Sequence, residues 1–199
     1  MVASSVIKFL WLFERNWAMA VRASLRDNPF WRKKIRRVCE VYDTDKSGYI
    51  SPADFDAIVT RYSQLSTATP EQTEGLKKAF GAYWEGFDQT TKLNYDEFME
   101  KSVGYLLNLP TDEIPCKIWL EMFENLDVNK DGVISFEEWC AHYQGIGVNV
   151  THARASFDAM DTNKDGKISK DEFVAYHREF YLTAEDKLHS SILFGPLSD

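Results

Sequence analysis

The chain has 199 residues, of which 44% are hydrophobic and 27% are charged. These values are ordinary for a globular protein, and they exclude a disordered chain, a collagen-like repeat and a multi-span membrane protein. The three cysteines are an odd number without C-x-x-C spacing. That count argues against a secreted disulfide framework or a cysteine zinc site and indicates an intracellular, cytoplasmic protein. The net charge of -8 disfavours nucleic acid as a partner.

The N-terminal segment differs in charge from the rest of the chain. Residues 1–40 carry nine Lys and Arg against three Asp and Glu, a net +6 that leaves -14 for the remainder. Apolar residues recur at helical spacing here, so we predict a basic amphipathic helix over about residues 4–26, within an N-terminal segment of residues 1–27. Its apolar run is too short and too charged to span a membrane. We expect the helix to dock on the acidic body; the alternative is a membrane or protein partner.

Acidic turns framed by helical patterns repeat along the rest of the chain. Three twelve-residue segments, 43–54, 127–138 and 161–172, fit the pattern D-x-[DN]-x-[DNS]-G-x-[apolar]-x-x-x-[DE] of an EF-hand calcium loop. Oxygens at positions 1, 3, 5, 7 and 12 converge on a hard dication there, and glycine at position 6 permits the sharp turn. The predicted metal ligands are Asp43, Asp45, Ser47, Tyr49, Asp54, Asp127, Asn129, Asp131, Val133, Glu138, Asp161, Asn163, Asp165, Lys167 and Glu172.

One more loop, degenerate and second in chain order, is expected because EF-hands occur in pairs. In chain order the first loop is 43–54, the second 86–97, the third 127–138 and the fourth 161–172. Residues 86–97 align with the other loops when Leu93 takes position 8, and Glu97 then stands at position 12. Gly86 and Thr91 replace the first carboxylate and the turn glycine, so we predict a structural loop that holds no ion. Three Ca²⁺ sites follow. Mg²⁺ should compete above all at the first site, where Asp54 is one methylene shorter than the glutamate of the other two loops.

The fold class predicted from these patterns is all-α: four EF-hands in two packed pairs, with the extra N-terminal amphipathic helix. The first pair spans residues 28–109. The second spans residues 110–199 and includes a C-terminal tail. Within each pair the position-8 residues should form a short β bridge, joining Ile50 to Leu93 in the first pair. No nucleophile with a local base is recognisable, so we expect a non-enzyme with no catalytic and no organic cofactor-binding residues.

With these loops the chain resembles the invertebrate sarcoplasmic calcium-binding proteins over residues 28–199. The resemblance rests on the degenerate second loop, on the segment ASFDAM at 155–160 and on the terminal LFGPL at 193–197. It implies a compact, cytosolic buffer of Ca²⁺ and Mg²⁺ whose two halves pack face to face. We expect a monomer. A calcium sensor is the first alternative, but the five methionines are scattered rather than gathered on one surface, which favours a buffer.

The second alternative is a photoprotein-like binder of an apolar ligand such as coelenterazine. Residues 28–31 (NPFW) and 68–72 (ATPEQ) look similar to segments of the calcium-triggered photoproteins, which are related to the sarcoplasmic calcium-binding proteins. His177 matches one of the histidines that bind the chromophore in those proteins. Other polar chromophore contacts are replaced in this chain, at Ile35, Ser102, Tyr181 and Phe194. We therefore expect no light emission and disfavour the ligand-binding alternative.

Overall fold

The computed structural model describes residues 24–65, 69–87, 91–108, 116–185 and 189–197. The predicted N-terminal helix lies almost wholly outside the described residues, and only residues 24–26 of it are described, as helix. The predicted boundary between the two pairs, at residues 109 and 110, also lies outside them, so that division stays a prediction. Over the described ranges, no helix combines the length and the apolar character needed to cross a membrane.

The described chain forms four helix–loop–helix units, each with a two-residue strand in its loop, which confirms the all-α, four-EF-hand prediction. The first unit contains α1 (Pro29–Tyr42), β1 (Tyr49–Ile50) and α2 (Pro52–Gln64). The second contains α3 (Pro70–Glu85), β2 (Leu93–Asn94) and α4 (Tyr95–Asn108). The third contains α5 (Cys116–Leu126), β3 (Val133–Ile134) and α6 (Phe136–Gly145). The fourth contains α7 (Ala153–Met160), β4 (Ile168–Ser169) and α8 (Lys170–Leu182).

The helices begin where the sequence supplies a cap. Asn28 Oδ1 accepts a hydrogen bond from the N–H of Trp31 at 3.0 Å, and proline follows Asn28 as the first residue of α1. At the start of α3, Thr69 and Gln72 form a reciprocal capping box, in which each side chain accepts a hydrogen bond from the backbone N–H of the other residue. Helix α7 is preceded by a 3₁₀ turn over Val150–His152, in which the Asn149 side chain accepts from the N–H of Thr151.

Short antiparallel bridges join the units in pairs. Strand β1 pairs with β2, with Ile50 opposite Leu93, and β3 pairs with β4, with Ile134 opposite Ile168. All four are position-8 residues and are buried, at 0–3% exposure. The predicted pairing of the first two loops and of the last two is therefore confirmed.

The two pairs pack face to face through helices that bury aromatic side chains. Helix α2 lies against α6, and α3 lies against α5. At the first of these contacts, the Tyr62 hydroxyl forms a hydrogen bond with His142 Nδ1 and also donates to the His142 carbonyl at 3.3 Å. Gly145 makes this approach possible, because a Cβ there would lie 2.3 Å from the Tyr62 ring. The tyrosine therefore occupies the space of a missing side chain.

A buried lysine joins α1 to the end of α8. Lys34 is fully buried, and its Nζ donates to the carbonyl oxygens of Phe180 and Thr183, the latter at 2.9 Å. Burial lowers the pKa of Lys34 to about 8, although the nearby charge of Glu179 acts in the opposite direction. Carbonyls at a helix C-terminus have no partner within the helix, so the lysine supplies the missing donor across the interface between the two halves.

Candidate functional site

The three complete loops share one backbone conformation. The glycine at position 6 has a positive φ in each loop: 82° at Gly48, 86° at Gly132 and 82° at Gly166. The residue at position 4 is also left-handed and is lysine each time: 59° at Lys46, 58° at Lys130 and 61° at Lys164. Non-glycine residues adopt this conformation rarely. The three loops are therefore turned in the same way at the two positions that curl the chain around its centre.

Two of the three lysines at position 4 cap the helix that enters their loop, a role that was not predicted from the sequence. The amine of Lys46 donates to the carbonyl of Glu40, and that of Lys164 donates to the carbonyl of Asp158. Both carbonyls lie in the last turn of the helix that enters the loop, where carbonyls lack partners within the helix. Recurrence of lysine at position 4 in all three complete loops was the available signal.

The first aspartate of each loop is buried and held by backbone amides. In the first loop, Asp43 Oδ1 accepts from the N–H of Ser47 at 3.0 Å, and Oδ2 accepts from the N–H of Gly48 at 2.8 Å. The bond from the position-6 glycine recurs at Asp127 and Asp161, at 2.8 and 3.0 Å. Burial alone raises the pKa of Asp43, but these hydrogen bonds outweigh it and lower the pKa. A carboxyl group held in place by backbone amides therefore stands at the start of each loop.

The closing carboxylate at position 12 ties the two ends of each loop together. In the fourth loop, Glu172 Oε1 accepts from the N–H of Thr162 at 3.0 Å, and Oε2 accepts from the N–H of Ser169 at 2.9 Å. Burial acts to raise the pKa of Glu172, but hydrogen bonds led by those from Ser169 lower it to about 2. Asp54 and Glu138 bridge position 2 to position 9 in the same way, at 2.8–2.9 Å.

The side chains of the first loop fit one divalent cation. Asp43, Asp45 and Asp54 each offer a carboxylate oxygen, and these three atoms lie within 4.8 Å of one another. Two oxygens that bind one Ca²⁺ at about 2.4 Å can lie at most about 4.8 Å apart, so the separation suits this ion. The third and fourth loops have asparagine at position 3, and its side-chain oxygen accepts from the position-5 amide at 3.0 and 2.9 Å. Positions 3 and 5 are thereby held close together in these loops too.

The degenerate loop keeps its cap and lacks its first ligand. Glu97 Oε2 accepts from the N–H of Asn94 at 2.9 Å, and Asn94 Oδ1 accepts from the N–H of Glu97 at 2.9 Å. Position 1 is Gly86, the residue that ends α3, and it has no side-chain oxygen to offer. Residues 88–90 of this loop lie outside the described residues. Its lack of an ion stays a prediction.

The residues at the photoprotein-like positions lie in the interior. His177 is 2% exposed, its Nδ1 bonds the Phe173 carbonyl at 2.8 Å, and burial lowers its pKa to about 4. Its Nε2 has no hydrogen-bond partner within the described residues, and the same is true of the buried Ser102 hydroxyl. Trp119 lies next to His177 and stacks on Tyr181, with ring centroids 6.0 and 5.9 Å away.

The interface between the two halves contains a small cavity, lined by Tyr42, Tyr62, Met122, His142 and Phe194 among others. Its volume is about 10 Å³, which is room for about one water molecule. An organic ligand of several rings would need tens of times that volume. Among the described residues, the interface around this cavity is filled by the protein's own side chains.

Comparison with known proteins agrees with the geometry of the loops. A family model described as an EF-hand domain pair matches residues 117–178, and one described as an EF hand matches residues 40–59. These segments contain the three complete loops up to the closing residue of each.

Three similar proteins extend the match to most of the chain. The luciferin-binding protein of Renilla reniformis is 25% identical over 133 residues, covering 65% of this chain and 72% of that protein. The Ca-loaded apo form of the coelenterazine-binding protein from Renilla muelleri superposes with a TM-score of 0.67 at 25% identity, covering 89% of this chain and 98% of that one. The sarcoplasmic calcium-binding protein of Perinereis vancaurica tetradentata is 31% identical over 180 residues, covering 85% of this chain and 99% of that protein. The chain belongs to the sarcoplasmic calcium-binding protein family, and it is a calcium-binding EF-hand protein.

Proposed function

We propose that this protein is a cytoplasmic, monomeric buffer of Ca²⁺ and Mg²⁺ with three ion sites, in loops 43–54, 127–138 and 161–172. The residues at positions 1, 3, 5, 7 and 12 of these loops, named in the sequence analysis, would hold the ions. Position 7 contributes a backbone carbonyl, so the lysine side chain at position 7 of the fourth loop need not oppose the cation. Loop 86–97 would stay empty.

One observation carries the proposal: the loops have ion-binding geometry while the apolar faces of the two halves cover each other. A sensor binds its ion and then exposes a groove for a partner, whereas a buffer barely opens. Here the fixed carboxylates of Asp43, Asp127 and Asp161 coexist with a closed interface. Tyr62 fills the space above Gly145 there.

The described surface has few exposed apolar side chains that a protein partner of a sensor could bind. Its large exposed hydrophobic side chains are Tyr49, Leu120 and Val150, at 40%, 36% and 37% exposure. They belong to a strand of the first loop, to α5 and to a 3₁₀ turn, so they do not form one apolar stripe on a single helix. Isolated apolar residues of this kind are normal on a soluble protein.

Fluorescence of a surface-seeking apolar dye tests the buffer against the sensor. We expect the emission of the dye with full-length protein to be the same in chelator, in Mg²⁺ and in saturating Ca²⁺, since no apolar groove should open. The matched control is Gly145→Ala, which should loosen the interface and raise the emission in all three conditions. A rise of several-fold with Ca²⁺ in the unchanged protein would replace the buffer with a sensor.

A second candidate function is the binding of an apolar organic ligand between the two halves. The buried His177 Nε2 without a hydrogen-bond partner among the described residues favours it, because a buried polar atom usually has one. The relatives named for luciferin and coelenterazine binding support it further. The cavity of about 10 Å³ opposes it, since the interface would have to open first.

Titration with coelenterazine separates the two candidates. Trp119 lies next to His177, so a ligand bound there should quench tryptophan fluorescence in the chelator-treated protein, and Ca²⁺ should change that response. We expect no saturable quenching and no light emission. Saturable quenching that His177→Leu removes would establish the ligand-binding function instead.

A further inference from the structure

A tyrosine of the degenerate unit contacts the first ligand of the first loop. The hydroxyl of Tyr95 donates to Asp43 Oδ2 at 2.8 Å. Tyr95 is the first residue of α4 and takes position 10 of the degenerate loop, whereas Asp43 takes position 1 of the first loop. The hydrogen bond therefore runs from the loop that lacks a first carboxylate to the first carboxylate of the loop beside it.

The rest of the structure fixes Tyr95 in this position. Tyr49 pairs with Asn94 across the bridge between the two loops, and this pairing fixes the backbone position of the next residue, Tyr95. The guanidinium of Arg36 lies 5.6 Å from the centroid of the Tyr95 ring, and the Cys39 thiol lies 4.0 Å from the Tyr95 carbonyl. Both residues belong to α1. The ring is thus held against the helix that enters the first loop.

At position 10 of its two loops, both of which the structure describes, the second EF-hand pair has no tyrosine. Position 10 is Phe136 in the third loop and Lys170 in the fourth. Phe136 packs edge-on against Phe157, with ring centroids 5.3 Å apart, and has no hydroxyl. The amine of Lys170 forms an ion pair with Glu124. Tyr95 is therefore a feature of the first site rather than a general part of the fold.

The geometry points to Tyr95 as a positioning residue of the first Ca²⁺ site, a role that rests on the proposed function because it presumes that loop 43–54 binds an ion. A carboxylate oxygen has two lone pairs. On Asp43 Oδ2 they are taken by the N–H of Gly48 at 2.8 Å and by the Tyr95 hydroxyl at 2.8 Å. Asp43 Oδ1 accepts one short hydrogen bond, from the N–H of Ser47 at 3.0 Å, and a longer one from the Ser47 hydroxyl at 3.4 Å, so Oδ1 is the oxygen that can more easily turn a lone pair to the ion.

The first loop needs this support more than the other two. It has a serine hydroxyl, Ser47, at position 5 and the short Asp54 at position 12, where the other loops have a carboxylate and a glutamate. Replacing a residue that hydrogen-bonds a metal ligand typically weakens metal binding by about 10- to 100-fold. Through Tyr95, the degenerate unit thus contributes to ion binding in the first loop without binding an ion itself.

The test isolates the first site in the full-length chain. Glu138→Gln and Glu172→Gln together disable the third and fourth loops, and calorimetric titration of this chain should show one Ca²⁺ bound. Adding Tyr95→Phe keeps the ring and removes the hydroxyl, and we expect the affinity of the first site to fall by about 10-fold.

Tyr143→Phe is the matched control. It removes a buried hydroxyl that bonds Ser156 Oγ at 2.6 Å and the Leu193 carbonyl at 2.9 Å, neither of which is a predicted ligand. A purely structural role for Tyr95 predicts that both variants change the thermal midpoint and the affinity alike. If the chain with disabled third and fourth loops binds no ion, the proposed first site is wrong. If it binds one ion and Tyr95→Phe binds as tightly, the role of Tyr95 is overturned.

Discussion

The two EF-hand pairs have the same β bridge and different loops around it. In the second pair both loops are complete, and Ile134 lies opposite Ile168. In the first pair one loop has lost its first carboxylate and its turn glycine, yet Ile50 lies opposite Leu93 in the same antiparallel register. The comparison teaches that pairing depends on the apolar residue at position 8 and the cap at position 12. The carboxylate at position 1 and the glycine at position 6 can be replaced without losing the pair.

The largest expected effect comes from removing the charge at position 12 of a complete loop, whereas the same change in the degenerate loop should have no effect. Glu172→Gln should lower Ca²⁺ affinity at the fourth site by at least about 100-fold, because a charged ligand is lost. Glutamine still serves at the third position of a capping box, so α8 should still begin correctly. The matched variant Glu97→Gln should leave all Ca²⁺ affinities unchanged. Calorimetric titration of both variants measures this, and a lost or weakened site in Glu97→Gln would mean that loop 86–97 binds an ion.

The next effect concerns the contact that joins the two pairs. Gly145→Ala places a Cβ 2.3–2.6 Å from ring atoms of Tyr62, so we expect the free energy of unfolding to fall by about 2 kcal/mol. Gly81 is the control, since it lies in α3 and a Cβ there would meet nothing within 4 Å. Gly81→Ala should stabilise the protein by about 0.5–1 kcal/mol. Chemical unfolding measures both, and equal effects would show that Tyr62 does not depend on Gly145.

A smaller effect is expected from the buried histidine of α8, His177, on the pH dependence of the free energy of unfolding. The pKa of His177 is about 4 in the folded protein, against an ordinary value of 6.5, because burial disfavours the charged ring. Between these values the unfolded chain binds one more proton, so stability should fall as pH falls through that window and level off below about pH 4. His177→Leu removes this contribution. We expect the difference in unfolding free energy between the two ion-free proteins to change by about 1 kcal/mol from pH 6 to pH 5.

A constant difference between the two proteins over this range would show that His177 binds the same number of protons in the folded and the unfolded state, so that burial does not lower its pKa. The carboxylates do not confuse this test, because they contribute equally to both proteins and cancel in the difference.

The smallest effect should distinguish the first site from the other two. Asp54→Glu lengthens the position-12 side chain by one methylene, so it can approach the ion with two oxygens, as the glutamates of the third and fourth loops can. Fewer ligand oxygens suit the smaller, octahedral Mg²⁺ ion. We expect the ratio of Ca²⁺ to Mg²⁺ affinity at the first site to rise by about 3-fold. Competitive titration of the chain with disabled third and fourth loops measures this, and an unchanged ratio would assign the selectivity to Ser47 instead.

Much of the fold could be predicted because its signals are local. Each loop is specified within twelve residues, and its glycine, its position-8 residue and its closing carboxylate act on neighbours in the chain. The start of α3 is likewise specified by four consecutive residues, from Thr69 to Gln72, which form its capping box. The β bridge of the degenerate loop could be predicted because Leu93 is the residue that best matches position 8.

The contacts between units could not be predicted in this way. Tyr95 and Asp43 are separated by 52 residues, and Tyr62 and His142 by 80. A single sequence has no pattern that links such distant residues. Lys34 was counted only as part of a basic N-terminal segment, although its charge lies buried at the end of α8. The tyrosine at position 10 of the degenerate loop could have indicated the contact with Asp43, since its hydroxyl is within reach of the paired loop.

Calorimetric titration of the full-length, ion-free protein with Ca²⁺ tests the central claim most directly. Three loops keep their ligands and one lacks its first carboxylate, so we predict a stoichiometry of three, and Glu97→Gln should leave it at three. A stoichiometry of four that returns to three in Glu97→Gln would show that the degenerate loop binds calcium. A stoichiometry of two would show that one of the three complete loops does not, and either result would contradict the account.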